Sequence, residues 1–229
     1  MLHQYDKAIS ELEKSLDMYD KLGLKPWYSS NYYQLIAAYY ETGQYKKWGK
    51  LYKKAEKDFP DDYRLHATHA TLLLTLGDTL KANEYIEKCI FQRKLSSVSE
   101  AEITRLLALI YSNAGVLDKA EDYYRKALSL EPGKLQRLLN LGHFLIEKDR
   151  NIEEGLRIAR KALELSPDNY DFLHTIGWGL FKQGKYQESL VILQKSWDLR
   201  RQNAIYDHEA YLHLEAAKKA VAEQTRAER

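Results

Sequence analysis

The sequence has few of the residues that stabilise small secreted domains or loop-rich folds. It holds a single cysteine, Cys89, among 229 residues, which excludes an internal disulfide and a clustered thiolate site for zinc. It has only four prolines, and it shows no stretch of alternating apolar and polar residues of the kind that predicts a strand. These absences favour an all-helical protein.

The chain also lacks an excess of charge of either sign and any long apolar run. Its 35 lysines and arginines face 33 acidic residues, so it lacks the strong field expected of a nucleic-acid or anionic-membrane binder. No run approaches the roughly 18 apolar residues of a membrane span, and the start MLHQYDKAIS has no apolar signal-peptide region. We therefore expect no nucleic-acid partner and no membrane insertion, while the compartment stays open.

What the chain does contain is a glycine at a regular interval. Glycines at 43, 77, 115 and 184 lie about 34 residues, or twice that, apart, and each separates two stretches with helical apolar spacing. Glycine ends helices by adopting the left-handed conformation. The series lacks a glycine midway between 115 and 184. There we predict that Asn151 adopts the left-handed conformation instead.

Three prolines complete this pattern of residues that end helices. Pro60, Pro132 and Pro167 each follow the second stretch of a pair, where a residue that cannot continue a helix is expected to end it. The sequence therefore predicts repeated hairpins of two helices. Ala108, Gly142 and Gly177 are predicted to let neighbouring helices approach closely.

Residues at fixed offsets identify the repeat. In the first complete unit the signature positions are Tyr32, Leu35, Ile36, Tyr39, Gly43, Tyr45, Tyr52, Ala55 and Pro60. In the third they are Thr104, Leu107, Ala108, Tyr111, Gly115, Ala120, Tyr124, Ala127 and Pro132, and in the fifth Leu173, Ile176, Gly177, Leu180, Gly184, Tyr186, Ser189, Leu193 and Ser196. This pattern closely resembles the tetratricopeptide repeat family, and the resemblance implies a right-handed α-solenoid of stacked antiparallel hairpins.

The expected organisation is a single array across residues 1–229. Its parts are a lone second helix at 3–22, repeats at 28–60, 63–94 (atypical), 101–132, 135–167 (one-residue insertion) and 170–201, and a capping helix at 203–224. Asn203 is the predicted N-cap of that last helix. Because the chain starts in the middle of a repeat, we hypothesise a fragment of a longer protein, with a natural N-terminal cap helix as the alternative.

No residue pattern predicts catalysis, a cofactor or a metal. His66 and His69 lie three apart on one helix but lack a third ligand, so we interpret them as packing residues. His208, Glu209 and His213 resemble a zinc-protease helix, yet its histidines must be four residues apart and here they are five apart. We expect a protein that is not an enzyme, with no cofactor.

The resemblance implies that the first helix of each hairpin lines a concave groove that binds peptides. The predicted groove residues are Tyr33, Ala37, Tyr40, Thr71, Leu74, Arg105, Leu109, Ser112, Asn113, Leu139, His143, His174, Trp178 and Phe181. Aromatic side chains and arginine often dominate binding energy at interfaces. Family members that bind acidic chaperone tails use lysines and asparagines, where this chain has Tyr33, Ala37, Ala67 and Thr71, so that partner is disfavoured.

The expected function is a protein-interaction scaffold for a peptide or protein of unknown identity. The alternative is a regulatory or positioning segment of a larger, enzymatic protein. Single-stranded RNA binding is disfavoured because no basic groove or base-reading code is visible. Two further hypotheses are self-association through the exposed N-terminal stacking face and an acidic partner for the lysine-rich stretch from Lys46 to Lys57, whose simpler interpretation is a solvated surface.

Overall fold

The computed structural model describes residues 2–227, and this part of the chain contains helices and no strands. It divides into two compact units, residues 1–116 and 117–229. The first unit contains α1 Leu2–Lys21, α2 Ser30–Glu41, α3 Tyr45–Asp58, α4 Tyr63–Thr75, α5 Thr79–Leu95 and α6 Glu100–Asn113. The second contains α7 Leu117–Leu130, α8 Leu135–Glu147, α9 Ile152–Leu165, α10 Tyr170–Lys182, α11 Tyr186–Gln202 and α12 His208–Ala227. Within each unit, consecutive helices pack side by side as hairpins. The prediction of one continuous array stays a prediction.

The predicted helix ends are confirmed at the glycines and corrected at one position. Gly43, Gly77, Gly115 and Gly184 all have a positive φ, between 68° and 82°. At the position without a glycine, between Gly115 and Gly184, it is Asp149 that adopts the left-handed conformation, with φ 53°. Asn151 instead starts α9, where its side chain accepts a hydrogen bond from the Glu154 amide. An aspartate tolerates the left-handed region nearly as well as an asparagine, so the sequence pattern alone did not separate the two.

A second correction concerns the start of the last helix. Asn203 ends α11 as its C-cap rather than starting α12. Asp207 takes the N-terminal place, because its carboxylate accepts a hydrogen bond from the Ala210 amide at 3.1 Å. Ala204, with φ 54°, provides the turn between the two helices.

The core of the first unit is aromatic and joins α1, α2 and α3. Tyr32, Trp48 and Tyr52 are almost fully buried. Each of these large rings buries a large apolar area, so the lysine-rich helix α3 and its neighbours still form a core. The Tyr39 hydroxyl donates to the Glu13 carboxylate at 2.6 Å. Helix α1 is therefore part of this core rather than a detached segment.

The lysine-rich helix α3 is partly neutralised by α1. The Lys47 ammonium pairs with the Glu13 carboxylate at 3.0 Å, and that of Lys54 pairs with Asp20. Pairs as exposed as these contribute little to stability. These two lysines, which belong to the stretch predicted to bind an acidic partner, are therefore already paired within the unit.

His66 and His69 are packing residues of the first unit. The two ring nitrogens of His66 form hydrogen bonds of 2.9 Å with the Tyr52 hydroxyl and with the Pro60 carbonyl. The His69 ring stacks on Tyr52 at 3.6 Å between centroids. Burial lowers the pKa of His69 to about 4, because a charged imidazole would lose its hydration there. Its Nδ1 has no hydrogen-bond partner among the described residues.

The second unit depends on backbones that approach closely at glycines. A Cβ on Gly155 would lie 2.6 Å from Cγ1 of Ile146 and 2.8 Å from the carbonyl oxygen of Gly142. A Cβ on Gly177 would lie 2.7 Å from Cγ of Leu193. The role predicted for Gly142 and Gly177 is thereby confirmed, and Gly155 has the same role.

Charged side chains link α7 to the α8–α9 hairpin on the surface. Arg125 contacts the carboxylates of Glu121 and Glu154 at 2.9 and 2.8 Å, and Arg150 contacts Glu121 at 2.9 Å. The hydrogen bond to Glu154, with that to Glu121, raises the pKa of Arg125 above its ordinary value. A network that shares carboxylates holds its geometry better than isolated pairs do.

Glycine substitutions test the close approach. We expect Gly155→Ala to lower the free energy of unfolding by about 1–3 kcal/mol, because the new methyl group meets backbone as well as side chain. The matched control is Gly49→Ala in α3, where a Cβ meets nothing within 4 Å; this change should stabilise the chain by up to about 1 kcal/mol through helix propensity. Urea denaturation followed by circular dichroism measures both. Equal effects of the two substitutions would contradict the packing described above.

Replacing His69 tests its buried, neutral state. Its pKa rises on unfolding from about 4 to 6.5. As the pH falls, His69 therefore binds a proton in the unfolded chain before it does so in the folded chain. The free energy of unfolding consequently decreases as the pH falls from about 6.5 towards 4. We expect His69→Phe, which keeps the stack on Tyr52, to lose less stability over this range. The difference should be up to about 1 kcal/mol per pH unit, measured by urea denaturation at several pH values. Identical pH profiles for the two proteins would show that His69 does not titrate in this way.

Candidate peptide-binding surfaces

The first predicted surface lies on α2 in the first unit. Tyr33, Ala37 and Tyr40 fall at helical spacing and share one face. Ala37 is exposed, while Tyr33 and Tyr40 are half-buried. The guanidinium of Arg64 lies 5.1 Å from the centre of the Tyr33 ring. The structure thus places these three predicted residues together at the surface of the unit.

Tyr40 joins the end of α2 to the end of α6. Its hydroxyl donates a 2.9 Å hydrogen bond to the backbone carbonyl of Asn113, and its ring meets Trp48 edge to face at 5.4 Å. Asn113 is exposed, and Leu109, one turn earlier on α6, is half-buried. Arg105 is also half-buried and donates to Glu102 at 2.9 Å. Five residues of the prediction therefore remain accessible on the first helices besides Ala37: Tyr33, Tyr40, Arg105, Leu109 and Asn113.

Three residues predicted in this surface are instead part of the core. Thr71, Leu74 and Ser112 are each 8% exposed, and the Thr71 hydroxyl is used internally on the carbonyl of Ala67 at 3.0 Å. Thr71 and Leu74 are buried because α4 is packed by α3, α5 and α6, and Ser112 lies on α6, which packs against both α4 and α5. These three predictions are corrected.

The structure adds an aromatic feature that the sequence analysis missed. Trp27 and Tyr28, in the loop between α1 and α2, are 83% and 72% exposed. They border an open pocket, here called the aromatic pocket, that is lined by Trp27, Tyr28, Ser29, Ser30, Tyr33, Phe59 and Arg64. The sequence signal was the aromatic pair directly after Pro26 in a short loop, where large apolar side chains have little chance of burial.

Polar contacts fix the floor of the aromatic pocket. The Ser29 hydroxyl donates to the Asp62 carboxylate at 2.6 Å, and Asp62 also accepts from the backbone amide of Arg64 at 3.0 Å. Partial burial raises the pKa of Asp62, but these hydrogen bonds outweigh it and leave the pKa below its ordinary value. Burial raises the pKa of the Tyr33 hydroxyl. At neutral pH Asp62, which accepts from the pocket residue Ser29, is therefore ionised, and the pocket residue Tyr33 is neutral.

The second predicted surface lies in the second unit and is largely covered by α12. Trp178 and Phe181 of α10 stack at 4.7 Å, and His213 of α12 stacks on Trp178 at 3.6 Å. Phe181 packs on Leu214 of α12 and its neighbours. Trp178, Phe181, Leu139 and His143 remain half-buried. His174 is only 5% exposed, so its predicted contact with a ligand is corrected.

A histidine cluster forms where α12 crosses this surface; we use that name for His143, Glu147, His174, Trp178, Glu209 and His213. His174 Nε2 and His213 Nδ1 share a 3.0 Å hydrogen bond, and Trp178 Nε1 donates to Glu147 at 2.8 Å. Burial, reinforced by the neighbouring His213, lowers the pKa of His174 to about 3. Burial also lowers the pKa of His213 to about 4, although Glu147 acts in the opposite direction. Both of these imidazoles are therefore neutral at pH 7.

Arg200 sets the position of α12. Its guanidinium contacts the carboxylates of Asp171 at the start of α10 and Asp207 at the start of α12, at 2.6 and 3.2 Å. Arg200 is almost fully buried, so removing either partner would leave a charge poorly solvated. This contact explains why His213 reaches α10, whereas His208 lies outside the cluster beside Tyr206.

One further observation concerns membranes. Within residues 2–227, no helix has both the length and the apolar character needed to cross a bilayer.

The chain matches known proteins in two kinds of comparison. Models of the tetratricopeptide repeat match residues 106–134 and 171–204. The chain is 27% identical over 169 residues to the human Protein O-mannosyl-transferase TMTC1, covering 72% of this chain and 19% of that protein. It is 24% identical over 162 residues to the Tetratricopeptide repeat-containing protein trd-1 of Caenorhabditis elegans, covering 71% and 20%. The chain thus spans about a fifth of the length of these relatives.

A solved structure shares the fold. Yeast Tom70 superposes with a TM-score of 0.54 and 20% identity, over 95% of this chain and 43% of that one. At this identity the likeness concerns the fold alone. The left-handed glycines, the helical hairpins and the two matched segments agree with one another, and this chain carries tetratricopeptide repeats at residues 106–134 and 171–204.

Proposed function

We propose that the chain is a non-enzymatic scaffold that binds a peptide segment of a partner protein on the first unit. The binding surface consists of the aromatic pocket together with the exposed side of α2, from Tyr33 to Tyr40. The family is one of protein-interaction scaffolds, which supports the general function. The observation that carries the specific proposal is the aromatic pocket.

The exposure of Trp27 and Tyr28 is unfavourable unless something covers them. Large aromatic side chains in water lose the free energy that burial supplies, about 1.5–3 kcal/mol for a residue of this size. Both lie beside a pocket with a third aromatic ring, that of Tyr33, and the guanidinium of Arg64. Tryptophan, tyrosine and arginine around one concavity form the composition of a binding hot spot.

The pocket favours an apolar anchor rather than a charged one. Two carboxylates beside it are already used: Asp62 accepts from Ser29 and Arg64, and Asp58, next to Phe59 in the chain, accepts from the Tyr32 hydroxyl. The guanidinium of Arg64 is paired with Asp62 at 3.3 Å. Most of the remaining lining is aromatic, from Trp27, Tyr28, Tyr33 and Phe59. We therefore infer a partner that inserts an aliphatic or aromatic side chain and continues along α2 past Ala37, whose small side chain leaves room for a peptide backbone.

A role as a catalytic nucleophile is disfavoured for Cys89, the single cysteine of the chain. Cys89 is 1% exposed, and burial raises the pKa of its thiol to about 12. The thiolate that a catalytic cysteine requires is therefore not populated at neutral pH.

Peptide selection tests the binding surface. A library of random peptides is displayed against the immobilised chain, and the affinity of selected peptides is measured by fluorescence anisotropy. We expect Trp27→Ala to weaken binding by at least about tenfold, as truncation of a hot-spot residue does, and Tyr33→Ala to weaken it similarly. The matched control is Phe91→Ala, which removes an aromatic side chain that is 59% exposed on α5 and should leave affinity unchanged.

Two outcomes would contradict the proposal. One is the selection of no peptide above background by the folded chain. The other is unchanged affinity in Trp27→Ala and Tyr33→Ala, with circular dichroism showing that both variants keep the helical content of the wild type.

A second candidate is a regulatory or positioning segment within a larger, enzymatic protein. It is favoured by the match to a human protein named as a mannosyl-transferase, of which the aligned segment is 19%. Sequencing the complete transcript tests it: a catalytic domain in the same reading frame supports this candidate, and a reading frame with repeats alone contradicts it. Self-association through α1 also stays a prediction, which light scattering at several concentrations would measure.

A further inference from the structure

Three side chains of the histidine cluster have the chemistry of metal ligands and come from two helices that are far apart in sequence. Glu147 lies at the end of α8, whereas Glu209 and His213 lie one turn apart on α12. Residues four apart present their side chains on the same face of a helix. One ligand atom from each of the three lies within 4.8 Å of the other two.

The distances are close to those of a coordinated ion. Bonds of about 2.0–2.1 Å in a tetrahedral site place ligand atoms about 3.4 Å apart, so no separation between these ligand atoms has to shorten by more than about 1.4 Å. The Glu209 side chain is 52% exposed, which leaves it free to change rotamer. His143 adds a fourth ligand and a second nitrogen, since its Nε2 lies 3.7 Å from Oε1 of Glu209.

Neighbouring groups already orient two of the ligands. The hydrogen bond between His213 Nδ1 and His174 leaves Nε2 of His213 as its free ring nitrogen. The stack on Trp178 fixes the plane of that ring. Trp178 Nε1 binds Oε2 of Glu147, which leaves Oε1 available. Ligands in metal sites are commonly held by such outer contacts.

The cluster also has an unbalanced charge. It contains the carboxylates of Glu147 and Glu209, while the Lys182 ammonium, which lies beside Glu147, forms its ion pair with another carboxylate. Lys182 donates to the backbone carbonyl of Glu147 and to the Asp149 carboxylate, at 2.9 and 2.8 Å. A divalent cation would offset the two negative charges and relieve their repulsion.

We propose that Glu147, Glu209 and His213, with His143 as the fourth ligand, bind one divalent transition-metal ion of the zinc type. Imidazole nitrogen with carboxylate oxygen suits Zn²⁺ and disfavours Mg²⁺ and Ca²⁺, which prefer oxygen alone. The ion would tie α12 to α8 and thereby reinforce the covered surface of the second unit. Its role is structural, and it is independent of peptide binding on the first unit.

Titration of the metal-free full chain with Zn²⁺ tests the proposal. We expect isothermal calorimetry to give one site per chain, and we expect Zn²⁺ but not Mg²⁺ to raise the melting temperature, because a ligand that binds only the folded state stabilises it. Glu209→Gln should weaken Zn²⁺ binding by at least about tenfold. This substitution keeps the shape of an exposed side chain, so the variant should fold normally.

Two controls separate the cluster from ordinary surface residues. Glu215→Gln changes another exposed glutamate of α12, one that pairs only with Lys218 among the ion pairs of the described residues. His208→Gln removes an exposed histidine of the same helix. Both should bind Zn²⁺ like the wild type.

A further variant tests the orienting contact. Trp178→Phe keeps an aromatic ring against His213 but removes the donor to Glu147, so it should weaken Zn²⁺ binding while the helical content stays unchanged. Substituting Co²⁺ for Zn²⁺ adds a spectroscopic readout, since a tetrahedral site with nitrogen ligands gives visible absorption that Glu209→Gln should diminish.

The results that would overturn the site are specific. Unchanged Zn²⁺ affinity in both Glu209→Gln and Glu147→Gln would exclude these ligands. A loss of affinity in His208→Gln equal to that in Glu209→Gln would assign the binding to the surface of α12. Mg²⁺ binding as tight as Zn²⁺ binding would show that no imidazole takes part.

Discussion

Close contact between helix backbones is the constraint on which the rest of this structure depends. No single hairpin can bury its apolar side, so neighbouring helices within each unit must pack against one another. The carbonyl of Gly142 and the Cα of Gly155 meet where a methyl group would not fit. Because this approach is short, large side chains on either side, such as Phe144 and Leu156, reach full burial.

Polar contacts between helices then fix how each helix is positioned along its neighbour, which apolar packing alone does not determine. In the first unit, Tyr39 of α2 binds Glu13 of α1. In the second unit, the buried Arg200 holds the starts of α10 and α12 together. Apolar contact has no direction, whereas a charge-assisted hydrogen bond accepts only a narrow geometry. These contacts therefore determine which surfaces remain open and which are covered.

The two units use aromatic residues in opposite ways as a result. On the first unit, Trp27 and Tyr28 lie exposed in the loop between α1 and α2 and border the aromatic pocket. On the second unit, α12 lies over Trp178 and Phe181, and the same residue types become internal packing. The covering helix also brings its own histidine and glutamate to α8, which creates a cluster with the chemistry of a metal site.

The sequence by itself determined the helical hairpins, their period and the helix ends that lie at glycines. Glycine and proline act through local backbone conformation, which needs no knowledge of distant residues, and this is why Gly43, Gly77, Gly115 and Gly184 were placed correctly. Burial of Thr71, Leu74, Ser112 and His174, and the meeting of Glu147 with Glu209 and His213, were decided only by the tertiary structure. These features depend on which helix packs over which face, and helical periodicity describes one helix at a time. Likewise, the spacing of five positions between His208 and His213 did not indicate the partner of His213, which is His174 on another helix, because sequence spacing does not describe contacts between helices.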